Sequence, residues 1–235
     1  MKKLGLIVVA LALTLAGCNS DEKKASELFQ RAEVSFAAED YSLAKLQIDS
    51  IRTLYPKAFE VRKAAIGLMQ QVDLKEQQQT LAYLDELSNV FRYILQSNKK
   101  ELVTLAEELQ FVKAYTYLLS VRYEGKLFFS IQADTPYLLW YLPILSVLPL
   151  IENAVKHNVI SKQYPLQIDI YTTHEDKLII SNKIHPKSED SKGSGIGLKN
   201  LWGRYRMLTG KDIQISNRKE YFKVTLPLLN KPIHS

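Results

Sequence analysis

The sequence predicts an α+β protein: an N-terminal helical hairpin and long helices lead into a sandwich made of a mixed sheet with helices on one face. Three observations carry this. Apolar residues recur at helical spacing from Ala25 to Tyr123, with no glycine after Gly67 and no proline after Pro56 in that stretch. The spacing changes at Gly125, after which short alternating runs are separated by turn residues. Among those runs, "LPLIENAVKHN" and "GSGIGLKN" interrupt an apolar background with polar side chains and glycines.

At the start, "MKK" precedes an apolar run from Leu4 to Ala16, and "LAGC" ends at Cys18, the only cysteine. Such a run suits a signal-peptide core and falls short of the roughly 20 residues of a spanning helix. Residues 1–18 are therefore expected to be a lipoprotein signal with a lipobox, Cys18 the lipidation site and the product membrane-associated. Residues 19–80 read as a helical lipoprotein-like segment. Two helices fold back at Asp40 and Tyr41, and Pro56 ends the second. Small Ala32, Ala37 and Ala44 set against Phe36 and Tyr41 look like one tetratricopeptide-type hairpin, and a single copy builds no solenoid. Residues 81–123 continue as long helices joined near Ser97 and Asn98, whose apolar stripes must pair with one another or with a second copy.

Residues 124–230 carry the mixed pattern. "KLFFSIQA" reads as a strand, Pro143 to Asn158 as a helix, and "PLQIDIYTT" with "DKLIISNK" as a strand pair turned at Glu175 and Asp176. "SEDSKGSGIG" reads as a loop, "LKNLWGRYRMLTG" as a helix stopped by Gly210, and "DIQISNR" with "YFKVTLPL" as a closing hairpin. A content of 46% hydrophobic residues excludes a disordered chain. The net charge of +6 comes from lysines and arginines interleaved with acids, so no basic stripe marks a nucleic-acid partner.

In "LPLIENAVKHN", Leu148, Ile151, Ala154 and Val155 share one helix face, while Glu152 with Lys156 and Asn153 with His157 stand one turn apart. Gly193, Gly195 and Gly197 precede a helix whose free N-terminal amides attract anions. Alone, such a loop serves equally well as a flexible connection.

Taken in order, these motifs resemble the ATP-binding domain of histidine kinases, of the GHKL (Bergerat) class, and more closely the LytS-like sensor kinases. The resemblance runs from "YLDELSNVFRYILQ" through "LAEELQFVKAYTYLLSVRYEGKLFFSI", "LPILSVLPLIENAVKHN" and "GSGIGLKNLWGRYRMLTG" to "FKVTLPL", nearly two-thirds of the chain. It implies a Bergerat-type α/β sandwich, ATP as substrate, Mg2+ as cofactor and a response regulator as partner in a two-component phosphorelay. It also implies that Asn153 supplies an oxygen to Mg2+, that Glu152 polarises the reacting group or water, that Lys156 and His157 lie near the phosphates, and that the three glycines let a lid fold over them.

Two positions depart from the family pattern. The adenine-reading aspartate falls at Asn182 in "LIISNKIHPK", and the glycines that normally follow are Ile184 and its neighbours. A neutral hydrogen bond in place of a charge-assisted one costs about tenfold in affinity, roughly 1.4 kcal/mol. These kinases phosphorylate a histidine upstream of "LSNVFRYIL", yet no histidine lies between Cys18 and Leu87; the four are His157, His174, His185 and His234. This argues against self-phosphorylation and for an acceptor in trans, on an intact kinase joined as a heterodimer through residues 81–123, where a homodimer is the other expectation.

An exported lipoprotein would meet essentially no ATP, and occupancy vanishes with the ligand. Either lipoprotein sequence is fused to a kinase core near Leu81 to Ser88, or the signal goes unprocessed and the product stays inside. Two functional alternatives remain: a lipid-anchored helical adaptor with a non-catalytic ATPase-like fold, and an ATPase that hydrolyses nucleotide without a phosphoacceptor.

Overall fold

The computed structural model describes residues 2–187, 196–218 and 220–231, as backbone alone over 2–19 and at 196. It divides into two units, Met1–Ala82 and Tyr83–Ser235.

The first unit holds α1 (Lys2–Ala37), α2 (Tyr41–Leu54) and the beginning of α3 (Phe59–Gln96). The expected hairpin is present. Glu39 takes a left-handed φ of 60°, and the Asp40 carboxylate accepts the Leu43 amide at 3.0 Å, capping α2. Ala25, Ala32 and Ala44 are fully shielded, and their small side chains let α1 and α2 approach closely. Ile48 and Ile51 complete the core with Ala65, Leu68 and Val72 of α3, and Lys45 on α2 pairs with Asp73 on α3 at 2.8 Å. The helix α1 starts at Lys2, so the segment assigned to a signal is continuous with the hairpin; the Cys18 side chain lies outside the described residues. Among the described residues no helix is long and apolar enough to cross a membrane.

The second unit holds the end of α3, then β1 (Leu102–Thr104), α4 (Leu105–Tyr123), β2 (Leu127–Gln132), a 3-10 turn (Thr135–Leu139) and β3 (Tyr141–Pro143). It continues with α5 (Leu148–His157), β4 (Leu166–Thr173), β5 (Lys177–Lys183), α6 (Ile196–Thr209), β6 (Gln214–Asn217) and β7 (Tyr221–Pro227). The sheet order is β2-β4-β5-β7-β6. Only β2 and β4 run parallel, and the crossover between them contains α5. Period-two alternation turns Leu166, Ile168 and Ile170 of β4, Leu178 and Ile180 of β5, and Val224 and Leu226 of β7 into one core. Leu109 and Val112 of α4, Leu150 and Ile151 of α5, and Leu201 and Tyr205 of α6 close over it. This is the mixed α+β sandwich that the sequence predicts.

Two expectations need correction. The two helices expected in 81–123 are present, α3 ending at Gln96, but the join is longer than Ser97 and Asn98: residues 102–104 form β1, antiparallel to β3. The helix α4 starts only after Thr104 because a capping box stops it there. The Thr104 hydroxyl accepts the Glu107 amide at 3.2 Å, and the Glu107 carboxylate accepts the Thr104 amide at 2.9 Å. The Lys100 ammonium, which donates to Glu107 Oε1 at 2.9 Å, holds the Glu107 carboxyl below the usual carboxylate range. The native state thus binds that proton less tightly than the unfolded chain, so the contribution is present at neutral pH and lost as pH falls through the lowered pKa. Thr104→Ala should cost about 1 kcal/mol in chemical denaturation at neutral pH, with the difference from the parent shrinking in acid.

The second correction concerns the helix assigned to Pro143 through Asn158, which begins at Leu148. Pro143 instead ends β3, and Leu145 in the following turn has a left-handed φ of 58°.

Candidate functional site

The helix α5 is anchored at both ends by residues far away in sequence. At its N-terminus Val147 offers no capping side chain. The cap comes from α4: buried Glu108 accepts the Val147 amide at 3.0 Å through Oε1, and the Leu145 amide at 2.9 Å through Oε2. A carboxylate there meets the positive end of the helix dipole. Glu108 Oε2 also accepts the Tyr93 hydroxyl of α3 at 2.7 Å. From α6, Arg204 Nη2 donates to the Leu145 carbonyl at 3.0 Å. Burial pushes the Glu108 carboxyl up despite these donors and the nearby guanidinium, and burial likewise raises the Tyr93 phenol.

At the C-terminus Asn158 is buried, donates Nδ2 to the Ala154 carbonyl at 2.8 Å, and accepts the His185 amide at 2.7 Å. Lys187 Nζ reaches the Val155 and Lys156 carbonyls at 3.1 and 3.0 Å, a cation at the negative end of the dipole. The chain leaving β5 is thereby fastened along the end of α5.

Between these parts lies a cavity of about 290 Å³, near the lower end of the size range for small-molecule sites. Asn153 and His157 line it from α5, Asn182 from β5, Pro186 and Lys187 from the segment that follows, and Leu198 from α6. Phe222 of β7 and Asn217 of β6 form the far wall. Asn182 is buried within the sheet, between Ile168 of β4 and Phe222 of β7. Its Nδ2 donates to the Lys183 carbonyl at 2.8 Å, and among the described residues no donor reaches its Oδ1. The cavity thus joins an apolar wall to asparagine amides and a lysine.

Residues 65–127 match the family described as histidine kinase. The sensor histidine kinase/phosphatase LytS of Staphylococcus aureus strain MRSA252 is 32% identical over 142 residues, covering 54% of this chain and 24% of that protein. The strain N315 protein of the same name gives the same identity and coverage. About half of this chain is thus similar to LytS-type sensor histidine kinases. The match spans about a quarter of the length of these curated relatives. Among solved structures, the catalytic domain of histidine kinase ThkA is 16% identical, with a TM-score of 0.39, covering 54% of this chain and 94% of that one. The histidine kinase domain of the Erythrobacter litoralis EL346 blue-light activated kinase is 14% identical, with a TM-score of 0.38 and coverage of 68% and 87%.

Of the residues that the LytS-type resemblance singles out, Asn153, His157 and Asn182 come together on the cavity. Glu152 and Lys156 are exposed on α5 and are not among its lining residues; Glu152 faces α4, where its charge helps burial raise the Tyr115 phenol. Gly193 and Gly195 lie outside the described residues. Gly197 is in the first turn of α6, beside Leu198, with open space where a side chain would project. The sequence reading missed Asn158, Lys187, Phe222 and Glu108. For Asn158 a signal existed, since a polar residue closing an amphipathic helix is a cap candidate. Lys187 and Glu108 act through contacts between distant segments, which no local pattern records.

Proposed function

We propose that this chain is a histidine kinase-like component of two-component signalling whose C-terminal unit binds Mg-ATP in the cavity between α5, β5 and α6. The observation that carries the reading is the convergence of Asn153, His157 and Asn182, far apart in sequence, on one cavity of ligand size. The Asn182 Oδ1 would accept from an adenine amine, Phe222 would pack against the ring, and Lys187 would face the anionic part.

Asn153, lining the cavity from α5, offers Mg2+ an amide oxygen. Among the described residues no group of three or more histidine, cysteine or acidic side chains converges on a metal site. Mg2+ suits such a place, because it is commonly held by one or two protein oxygens together with phosphates and water. Asn153 would supply the protein oxygen, and the bound ion would neutralise charge on the transferred phosphoryl group. Glu152, exposed on the α4 side of the helix, would meet an acceptor presented from outside the unit. With no histidine between Cys18 and Leu87, that acceptor belongs to a second chain. Exposed Leu84, Phe91 and Leu95, seven and four residues apart on α3, support pairing with such a chain, either a copy of this one or an intact kinase. A response regulator would receive the phosphoryl group. Nucleotide use requires the unit to lie on the cytoplasmic side, with residues 1–18 retained as a membrane-associating segment and Cys18 unprocessed.

The test is a fluorescent-ATP titration of the full chain with and without Mg2+. Saturable, Mg-dependent binding is expected, and no binding up to millimolar nucleotide would overturn the proposal. Asn182→Asp restores a charge-assisted bond and should tighten binding about tenfold; equal affinity in the two proteins would contradict the adenine role of this position.

A further inference from the structure

Residue 145 is held from both sides. Its amide donates to Glu108 of α4 and its carbonyl accepts from Arg204 of α6, while its backbone sits at a φ of 58°, a region that leucine rarely adopts. Two residues later the same carboxylate caps α5 through Val147. The carboxylate has no exposed surface, and its remaining donor is the hydroxyl of Tyr93 on α3. Three helices therefore meet at one side chain, which fixes where the helix bearing Asn153 begins. Tyr93 stacks on Phe111 of α4, ring centroids 4.6 Å apart, so its hydroxyl is aimed by packing rather than by chance. The Arg204 Nε is buried with no hydrogen-bond partner among the described residues, a cost that the Leu145 contact and the Glu108 charge offset.

We propose that Glu108 is a positioning residue for α5, and that the Tyr93 hydroxyl makes this positioning depend on the placement of α3. The consequence for ligand affinity rests on the nucleotide reading of the cavity; the positioning itself does not. A shift of α3 that withdraws the Tyr93 hydroxyl leaves a buried carboxylate short of one donor, loosens the turn at 144–147, and lowers the fraction of molecules with α5 seated. Apparent affinity falls in proportion to that fraction.

Tyr93→Phe removes one oxygen and keeps the ring stack, so it is the deciding variant; Glu108→Gln is the second. In the full chain, hydrogen exchange over 144–157 and over β4 and β5 would be measured alongside Mg-ATP titration. The expected result for Tyr93→Phe is faster exchange confined to 144–157, unchanged exchange in the sheet, and about tenfold weaker Mg-ATP binding. Glu108→Gln should do the same more strongly. Unchanged exchange over 144–157 in Tyr93→Phe overturns the proposal, as does a uniform rise across the unit, which would mark a merely structural hydrogen bond. If the parent chain binds no nucleotide but the variant shows the confined exchange, the positioning role stands and the nucleotide reading falls. If the parent binds and Tyr93→Phe matches it in both measurements, the reading stands and the positioning role falls.

Discussion

Asn153→Ala is expected to weaken Mg-dependent nucleotide binding by about tenfold or more while leaving the fold intact. Asn153 is half-buried on the cavity side of α5, outside the apolar core, and the described hydrogen bonds that anchor the helix do not involve its side chain. Alanine is also the best helix former, so the helix should not suffer. What is lost is an amide oxygen facing a divalent cation. A hydrogen bond to a charged group contributes about 1.5 to 3 kcal/mol, and loss of a metal-directed oxygen should weaken binding by roughly tenfold to over a hundredfold. The difference should collapse when Mg2+ is chelated, because both proteins then bind the bare nucleotide alike. A variant that binds as well as its parent with Mg2+ would leave the cavity without its metal role and favour the non-catalytic adaptor.

Ile151→Ala should produce the largest loss of stability among single substitutions on α5. Ile151 is completely shielded from solvent, at the centre of the face that packs onto the sheet core. Truncation of such a side chain removes transfer free energy and leaves a void, about 2 to 5 kcal/mol in comparable cores, a large share of the ~5–15 kcal/mol that holds a domain together. Chemical denaturation monitored by tryptophan emission reads it directly, since both tryptophans, Trp140 and Trp202, lie in the second unit. Partial unseating of α5 should weaken the site as well, and added nucleotide should recover part of the loss by mass action. A change below 1 kcal/mol would mean that the helix does not rest on the core as described.

The contrast between these two neighbours shows what a sequence can convey. The apolar spacing of Leu148, Ile151 and Ala154 against polar Asn153 and His157 is local, and the helix built from it has the packed and polar faces that the spacing predicts. The alternation of Ile168 and Ile170 in β4, and of Leu178 and Ile180 in β5, is equally local and gives the strand pair. The strands β1 and β3 were hidden because each is three residues long and exists only by pairing Val103 with Leu142 across the whole of α4 and β2. The true start of α5 was hidden because two prolines compete for it: Pro149 sits in its first turn, as a proline favours, whereas Pro143 ends a strand, and the cap arrives from Glu108. The cavity was half visible. Asn153, His157 and Asn182 were marked by motif order, but Lys187 and Phe222 join them only through the sheet register.

The parallel pairing of β2 with β4 also governs the order in which the chain acquires structure. Leu127 must find Leu166 across an intervening turn, a short strand and all of α5, a loop closure whose entropy is lost before its contacts form. The hairpin of α1 and α2 needs only a three-residue reversal, and helices of that kind form within microseconds. On a ribosome adding about 5 to 20 residues per second, the N-terminal unit is folded while β4 is still unsynthesised. Until then Leu127 and Phe129 on β2 have neither a strand partner nor the core that β4 and β5 complete. Nascent chains halted before Pro165 should therefore aggregate or recruit chaperones, and chains released after Pro227 should not.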